Sequence, residues 1–121
     1  MLSYIYMNNV CLIDKHCKPC EGGVPPLSQE EVTRLSSELK LEWKVKEGKK
    51  ISHLFKFKDF VQAIAFVNAI VPLAEQEGHH PDIQISYNKV TIDLWTHAIG
   101  GLSENDFILA SKIEALDLAK A

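Results

Sequence analysis

The chain has 121 residues, of which 46% are hydrophobic and 24% charged, and its formal net charge is −3 with histidine neutral. This length and composition predict a single globular domain with a substantial core and exclude a disordered chain. The charge provides no basic surface for nucleic acid or an anionic membrane, and no apolar run approaches the ~20 residues that span a bilayer.

The first 27 residues are predicted to form an irregular leader, and residues 28–121 a single domain. Gly22-Gly23 and Pro25-Pro26 exclude a helix in the leader. The three cysteines are an odd number, and the apolar start of the chain has no basic segment typical of a signal peptide. We therefore expect reduced thiols and a cytoplasmic location.

The first helix and a hairpin follow the leader. Ser28 and Glu31 have the spacing of a capping box, so a helix is expected from this point to about Leu41. Alternation of apolar and polar residues then predicts strands over 42–47 and 51–58, joined by a turn.

The second helix is predicted to begin at Asp59, a residue type suited to the N-cap, and to end at Gly78. Its buried face is expected to consist of the larger apolar residues, namely Phe60, Val61, Ile64, Val67, Ile70 and Val71.

A second hairpin and a third helix complete the chain. Alternation predicts strands over 83–87 and 90–97, with Asn88-Lys89 as the turn between them. Ser103 and Asp106 form another capping-box pattern, which opens a helix expected to reach about Leu118. The order α-β-β-α-β-β-α predicts an α+β fold, with a four-stranded antiparallel sheet and three helices packed on one face.

Three histidines lie near the predicted ends of elements. His79 and His80 follow the second helix directly, and His97 lies at the end of the fourth strand. Histidine has an unperturbed pKa of ~6.5 and can exchange a proton near neutral pH, so convergence of the three would make an acid–base site. The alternative is structural: a polar loop with one histidine against a helix end, and a solvated His97.

Trp95 and Asp106 add two further candidates. Alternation places Trp95 beside His97 on the face of the sheet that points away from the core, where a large aromatic suggests a ligand platform or a subunit contact. Asp106 fits the third position of its helix as a cap, and its carboxylate could also fix the tautomer of a nearby imidazole.

The leader contains Cys17-Lys18-Pro19-Cys20, with His16 and Cys11 nearby, which resembles half of a zinc site. The second ligand pair of a structural site is missing. A redox pair normally opens a helix, which the following glycines and prolines disfavour. We therefore expect no metal site there, and cysteines that behave as small buried apolar residues.

Four blocks taken together resemble the pterin-4a-carbinolamine dehydratases. They are Glu75-x-x-x-His79-His80-Pro81, Tyr87-Asn88-Lys89-Val90, Thr96-His97 and Gly101-Leu102-Ser103-x-x-Asp106. The spacing of all four agrees, and the order of helices and hairpins covers Leu27 to Leu118. The leader is also similar to leaders of many bacterial and plant members.

The resemblance implies a reaction without metal or cofactor. Members remove water from 4a-hydroxytetrahydropterin, formed when aromatic amino acid hydroxylases use their pterin, and release quinonoid dihydropterin. The resemblance also implies a homodimer or homotetramer, and a possible contact with such a hydroxylase. Animal members additionally serve as dimerisation cofactors of a homeodomain transcription factor, so a non-catalytic binding or regulatory module is the alternative function.

The resemblance further implies the roles of individual residues. Its catalytic histidines fall on His79, His80 and His97, and its acidic partner falls on Asp106. We assign His79 and His97 to proton transfer, and Asp106 to orienting His97. The substrate-binding residues are expected to be His80, Glu75, Trp95 and Thr96.

Overall fold

The structure is a computed structural model that describes residues 11–18 and 24–120. Within them, three α-helices alternate with two β-hairpins in the predicted order, which confirms the α+β fold. The elements are α1 (Gln29–Ser37), β1 (Lys44–Lys46), β2 (Lys50–Lys56), α2 (Phe60–Glu77), β3 (Asp82–Ser86), β4 (Lys89–Leu94) and α3 (Glu104–Glu114). None of the helices described is both long enough and apolar enough to cross a membrane.

The four strands form one antiparallel sheet in the order β1-β2-β4-β3. In its centre Ile51 pairs with Leu94 and Phe55 with Val90, and all four side chains are buried. The helices cover this face, because buried residues of all three helices join the same apolar cluster as these strand residues. Burial of this continuous cluster is the main stabilising contribution to the fold.

Two predicted helix ends are confirmed, and one of them positions the paired histidines. Asp59 caps α2 by accepting a hydrogen bond from the backbone of Gln62 at 2.9 Å. Gly78 ends the same helix in the left-handed region, with φ 63°, a conformation that costs glycine little. The backbone N–H of His79 then donates to the carbonyl of Ala74. This closed helix end places His79 and His80 directly after α2, where both line a pocket.

The predicted buried face of α2 is partly wrong. Val61 is 73% exposed, and Phe60 and Val71 are about half exposed. Ile70 is buried as predicted, and the other apolar residues of α2 that lie fully against the core are Ala63, Phe66 and Ala74. These four follow helical spacing, so the stripe facing the sheet is set by position, and several large apolar residues fall outside it.

The first helix ends at Ser37 rather than near Leu41, for an identifiable reason. The buried carboxylate of Glu114 accepts the backbone N–H groups of Lys40 and Leu41, at 2.6 and 3.1 Å. It also accepts the indole N–H of Trp43 at 3.0 Å. These bonds replace the helical ones, and such a contact between distant parts of the chain leaves no local signal.

Three smaller boundaries also differ from prediction. The turn of the second hairpin is Tyr87-Asn88 rather than Asn88-Lys89, because Ser86 pairs with Lys89. Strand β4 ends at Leu94, so His97 begins a short 3-10 turn instead of extending the strand. The third helix ends at Glu114, and the expected stretch to Leu118 is partly a separate 3-10 turn.

The described part of the leader packs on α3. Leu12 is buried in the core cluster, and Lys112 donates to the carbonyl of Ile13 at 2.7 Å. Closer to the domain, a Cβ on Gly101 would lie 2.8 Å from the Cβ of Pro26, so only glycine fits this contact. The division at residue 27 between leader and domain stays a prediction.

Candidate active site

A pocket of about 590 Å³ lies where the end of α2, the segment after β4 and the leader meet. It brings together six of the seven predicted site residues, which are Glu75, His79, His80, Trp95, Thr96 and His97. The seventh, Asp106, is fully buried and hydrogen-bonded to one of the lining histidines. The residues predicted to perform acid–base chemistry therefore lie together at one pocket, although they come from three separate parts of the chain.

Asp106 contacts His79, and the prediction that it orients His97 is wrong. Its Oδ1 lies 2.5 Å from Nε2 of His79. Its Oδ2 accepts from the backbone N–H of Ser103 at 3.0 Å and from the hydroxyl of Thr96 at 2.9 Å. The carboxylate points inward from the first turn of α3, toward the end of α2, whereas His97 lies beyond Thr96 in the 3-10 turn.

This contact determines which nitrogen of His79 is available for chemistry. A carboxylate only accepts hydrogen bonds, so Nε2 of His79 carries the proton that it donates to Asp106. The lone pair of the neutral ring then lies on Nδ1, which can accept a proton. Once the ring is protonated, the buried carboxylate stabilises the imidazolium, as an acidic partner does in hydrolase triads.

His80 has a different environment from its neighbour. Its Nε2 lies 2.5 Å from Oε2 of Glu75, but these side chains are 62% and 70% exposed. An ion pair this exposed is worth little in stability, so the pair has no evident structural purpose. It lies at the rim of the pocket, where both groups can exchange water for a bound molecule.

Trp95 and His97 also line the pocket. Their ring centroids are 3.8 Å apart, and the indole N–H donates to Asp82 at 2.9 Å. The ammonium of Lys50 lies 5.6 Å from the Trp95 ring centroid, within cation–π range. Trp95 is half-buried, so it is a fixed platform against which the imidazole of His97 rests.

Thr96 lines the pocket but is 3% exposed, and its hydroxyl is engaged by Asp106. Its observed contacts support the carboxylate, and its contact with substrate stays a prediction.

Sequence reasoning missed the contribution of the leader and its anchors. Cys17, Lys18, Glu77 and Asn105 all line the pocket. Burial raises the pKa of Glu77, but hydrogen bonds from the Cys17 backbone and His16, with the charge of Lys112, outweigh it and lower the pKa. Burial, reinforced by the charge of Glu77, raises the pKa of the Cys17 thiol to about 12. Only the unusual double histidine marked this region, and nothing in the sequence paired it with the leader.

The zinc-like motif is only partly described. Across residues 11–18 and 24–120, no group of three or more histidine, cysteine or acidic side chains is arranged to hold a metal ion. Cys11 is exposed, while His16 and the Cys17 backbone both bond to Glu77. Cys20 lies outside the described residues, so the dispensability of the Cys17/Cys20 pair stays a prediction.

Fold and site together define an α+β protein with a histidine-lined pocket backed by a buried aspartate. The family described as pterin 4 alpha carbinolamine dehydratase matches residues 25–116. The chain belongs to this family. The leader residues that line the pocket precede the matched region.

Relatives and solved structures agree with this assignment. A protein from Nitrosomonas eutropha, provisionally named a pterin-4-alpha-carbinolamine dehydratase, is 50% identical to this chain over 91% of its length and 97% of the relative's. A protein of the same provisional name from Rickettsia bellii is 54% identical over 87% of this chain and 93% of the relative. A transcriptional coactivator/pterin dehydratase from Brucella melitensis superposes with a TM-score of 0.71 at 34% identity, covering 78% of this chain and 98% of that chain. A pterin dehydratase-like RuBisCO assembly factor of the alpha-carboxysome superposes with a TM-score of 0.56 at 26% identity, and the match covers 66% of this chain and 92% of that chain.

Proposed function

We propose that the protein is a hydro-lyase that removes water from 4a-hydroxytetrahydropterin and releases quinonoid dihydropterin. In this role it recycles the pterin used by aromatic amino acid hydroxylases. The observation that carries the proposal is the convergence of His79, His80 and His97 on one pocket, with Asp106 buried behind His79. Family membership and the names of the relatives support the same reaction.

The reaction requires two proton transfers, and two imidazoles of the pocket are available for them: His79, which contacts Asp106, and His97, which packs on Trp95. The bond between C4a and the hydroxyl oxygen breaks as that oxygen gains a proton and leaves as water. The N5 proton departs, and the nitrogen electrons form the new double bond to C4a. His79 and His97 perform these transfers in the proposal, and a positioned acid or base contributes roughly 10²- to 10⁴-fold.

The remaining residues hold the substrate in this proposal. Trp95 offers an aromatic surface to the pterin ring, and the exposed pair of His80 and Glu75 offers hydrogen-bonding groups at the rim. Asp106 keeps His79 in one tautomer and balances its charge when it is protonated.

The test is the dehydration of freshly generated 4a-hydroxytetrahydropterin, followed with and without the protein. Dehydration also proceeds spontaneously, so the rate in buffer is the reference. The proposal expects a rate that rises in proportion to protein concentration. A rate equal to that in buffer at all concentrations would refute it.

A binding or regulatory role is the second candidate, because the two solved relatives bear the names of a transcriptional coactivator and an assembly factor. A pure binding module would leave the spontaneous rate unchanged in the same assay. Association into a homodimer or homotetramer is part of our proposal, and the exposed Phe60, Val61 and Val71 on α2 support it. A hydroxylase partner and the cytoplasmic location stay predictions.

A further inference from the structure

Glu77 is a buried carboxylate whose contacts are with the leader and with α3. Its side chain is 2% exposed. Oε1 accepts the backbone N–H of Cys17 at 2.7 Å, and Oε2 lies 3.0 Å from Nδ1 of His16. The ammonium of Lys112 is 3.9 Å away. Burying a charge is costly unless it is bonded and paired, so these contacts tie the leader firmly to the last turn of α2.

Asn105 forms a second attachment one residue further along the leader. Its Oδ1 accepts the backbone N–H of Lys18 at 3.0 Å, and its Nδ2 donates to the carbonyl of Lys18 at 2.6 Å. The Cys17 thiol donates to the Asn105 carbonyl at 3.5 Å. The side-chain amide of Asn105 thus bonds to both the backbone N–H and the backbone carbonyl of Lys18, which fixes the position of the backbone there.

The consequence is a pocket wall made by the leader. Cys17 and Lys18 line the same pocket as the three histidines. Lys18 is the only lysine or arginine among the described lining residues, which also include the acids Glu75 and Asp82. Its backbone is held while its side chain is exposed, so its ammonium can reach toward a molecule in the pocket.

We infer that Cys17 and Lys18 form a wall of the substrate site, that the Lys18 ammonium donates to a carbonyl or hydroxyl oxygen of the bound pterin, and that Glu77 is the positioning residue that holds this wall. The inference rests on the proposed function, because it concerns how the same pocket binds its substrate. It assigns a binding role to a segment that precedes the part of the chain defining the family. The chemistry in the pocket is carried by other residues, so loss of the wall weakens binding more than turnover.

The experiment compares KM and kcat for dehydration in the full-length protein and four variants. Lys18→Ala removes the exposed side chain and leaves the backbone bonds in place. Glu77→Ala removes the anchor, and Glu77→Gln keeps one acceptor for the Cys17 N–H. Glu114→Ala is the matched control, because Glu114 is a buried carboxylate that also accepts backbone N–H groups, but of residues 40 and 41, outside the pocket.

We expect Glu77→Ala to raise KM about tenfold, the effect of one lost charge-assisted hydrogen bond, with kcat changed by less than about threefold. Glu77→Gln should recover part of the loss. Lys18→Ala should raise KM by roughly three- to tenfold without a change in melting temperature. Glu114→Ala should lower the melting temperature and leave KM unchanged.

The outcomes separate this inference from the proposed function. If the wild-type protein is active and Lys18→Ala has the same KM as the wild type, the inference is overturned, while the proposed dehydratase activity is still supported. A KM that rises equally in Glu77→Ala and Glu114→Ala would also overturn it, because the effect would then be general destabilisation. If Glu77→Ala does not fold, Lys18→Ala decides alone. A wild-type protein without activity would refute both.

Discussion

His79 and Asp106 are 27 positions apart, yet Nε2 of the histidine lies 2.5 Å from Oδ1 of the aspartate. The same carboxylate caps α3 through the backbone N–H of Ser103. One side chain therefore joins the beginning of a helix to the proposed acid–base residue at the end of another. Any displacement of α3 relative to α2 would move the imidazole, so the position of His79 depends on the packing of the two helices.

Asp106→Asn tests whether this contact matters for catalysis. The amide can still accept a hydrogen bond at the cap, but it carries no charge to stabilise a protonated His79. We expect kcat to fall roughly 10- to 100-fold, less than the ~10²- to 10⁴-fold contributed by a positioned acid or base, because the imidazole itself remains. The free energy of unfolding should fall by about 0.5–2 kcal/mol.

Glu31→Gln is the matched control for Asp106→Asn, because Glu31 occupies the same capping-box position in α1, away from the pocket. It should leave kcat unchanged. If Asp106→Asn lowers the melting temperature but keeps the wild-type kcat, the aspartate is structural only.

Trp95 should act as a platform through its ring rather than through its N–H group. Trp95→Phe keeps an aromatic face for His97 and loses the bond to Asp82, so we expect kinetic changes within about threefold. Trp95→Ala removes the face entirely and should lower kcat/KM by roughly tenfold or more. Steady-state kinetics of both variants provides the check, and wild-type values for Trp95→Ala would exclude a role for the ring.

Glu77 should make stability depend on pH in acid. Burial raises its pKa, but the Cys17 N–H, His16 and Lys112 more than compensate and lower it below 4.5. A depressed folded-state pKa contributes stability above the unfolded-state pKa, and this contribution is lost as pH falls through the folded-state value.

Urea unfolding of the wild type and Glu77→Gln at several pH values measures this contribution. The difference in unfolding free energy should shrink as pH falls below about 4.5. A difference that does not change with pH would contradict the assigned contacts.

The cysteine pair should be dispensable for catalysis. Glu77 holds the leader through the backbone N–H of Cys17, which a Cys17→Ser substitution retains. The double variant Cys17→Ser/Cys20→Ser should therefore keep most of the wild-type turnover with at most a modest loss of stability. Metal analysis of protein purified without chelator completes the test, and one zinc per chain with unfolding on chelation would contradict the prediction.

The fold was predictable because its signals are local. The capping residues Ser28 and Asp59, the stop at Gly78 and the alternating strands all act within a few residues of the elements that they define. The three histidines His79, His80 and His97 stand out by their acid–base chemistry and their positions near predicted element ends, and Glu75 enters through the resemblance to the family.

The contacts missed by sequence reasoning link distant segments. Glu77 reaches 60 residues back to the Cys17 backbone, and Glu114 reaches 74 residues back to Lys40. Asp106 is closer in sequence to His97, whereas the packing of α3 against α2 brings it to His79. The burial of an acidic side chain is decided by such packing, and composition or periodicity does not reveal it.

In the proposed reaction, the imidazoles of His79 and His97 catalyse the dehydration. This assignment is tested by the rate of loss of freshly generated 4a-hydroxytetrahydropterin with the wild type, each single alanine variant and the double variant His79→Ala/His97→Ala. Circular dichroism should confirm that all of them are folded. We expect a lower kcat for each single variant and a rate close to the spontaneous one for the double variant. A folded double variant with wild-type turnover would contradict it.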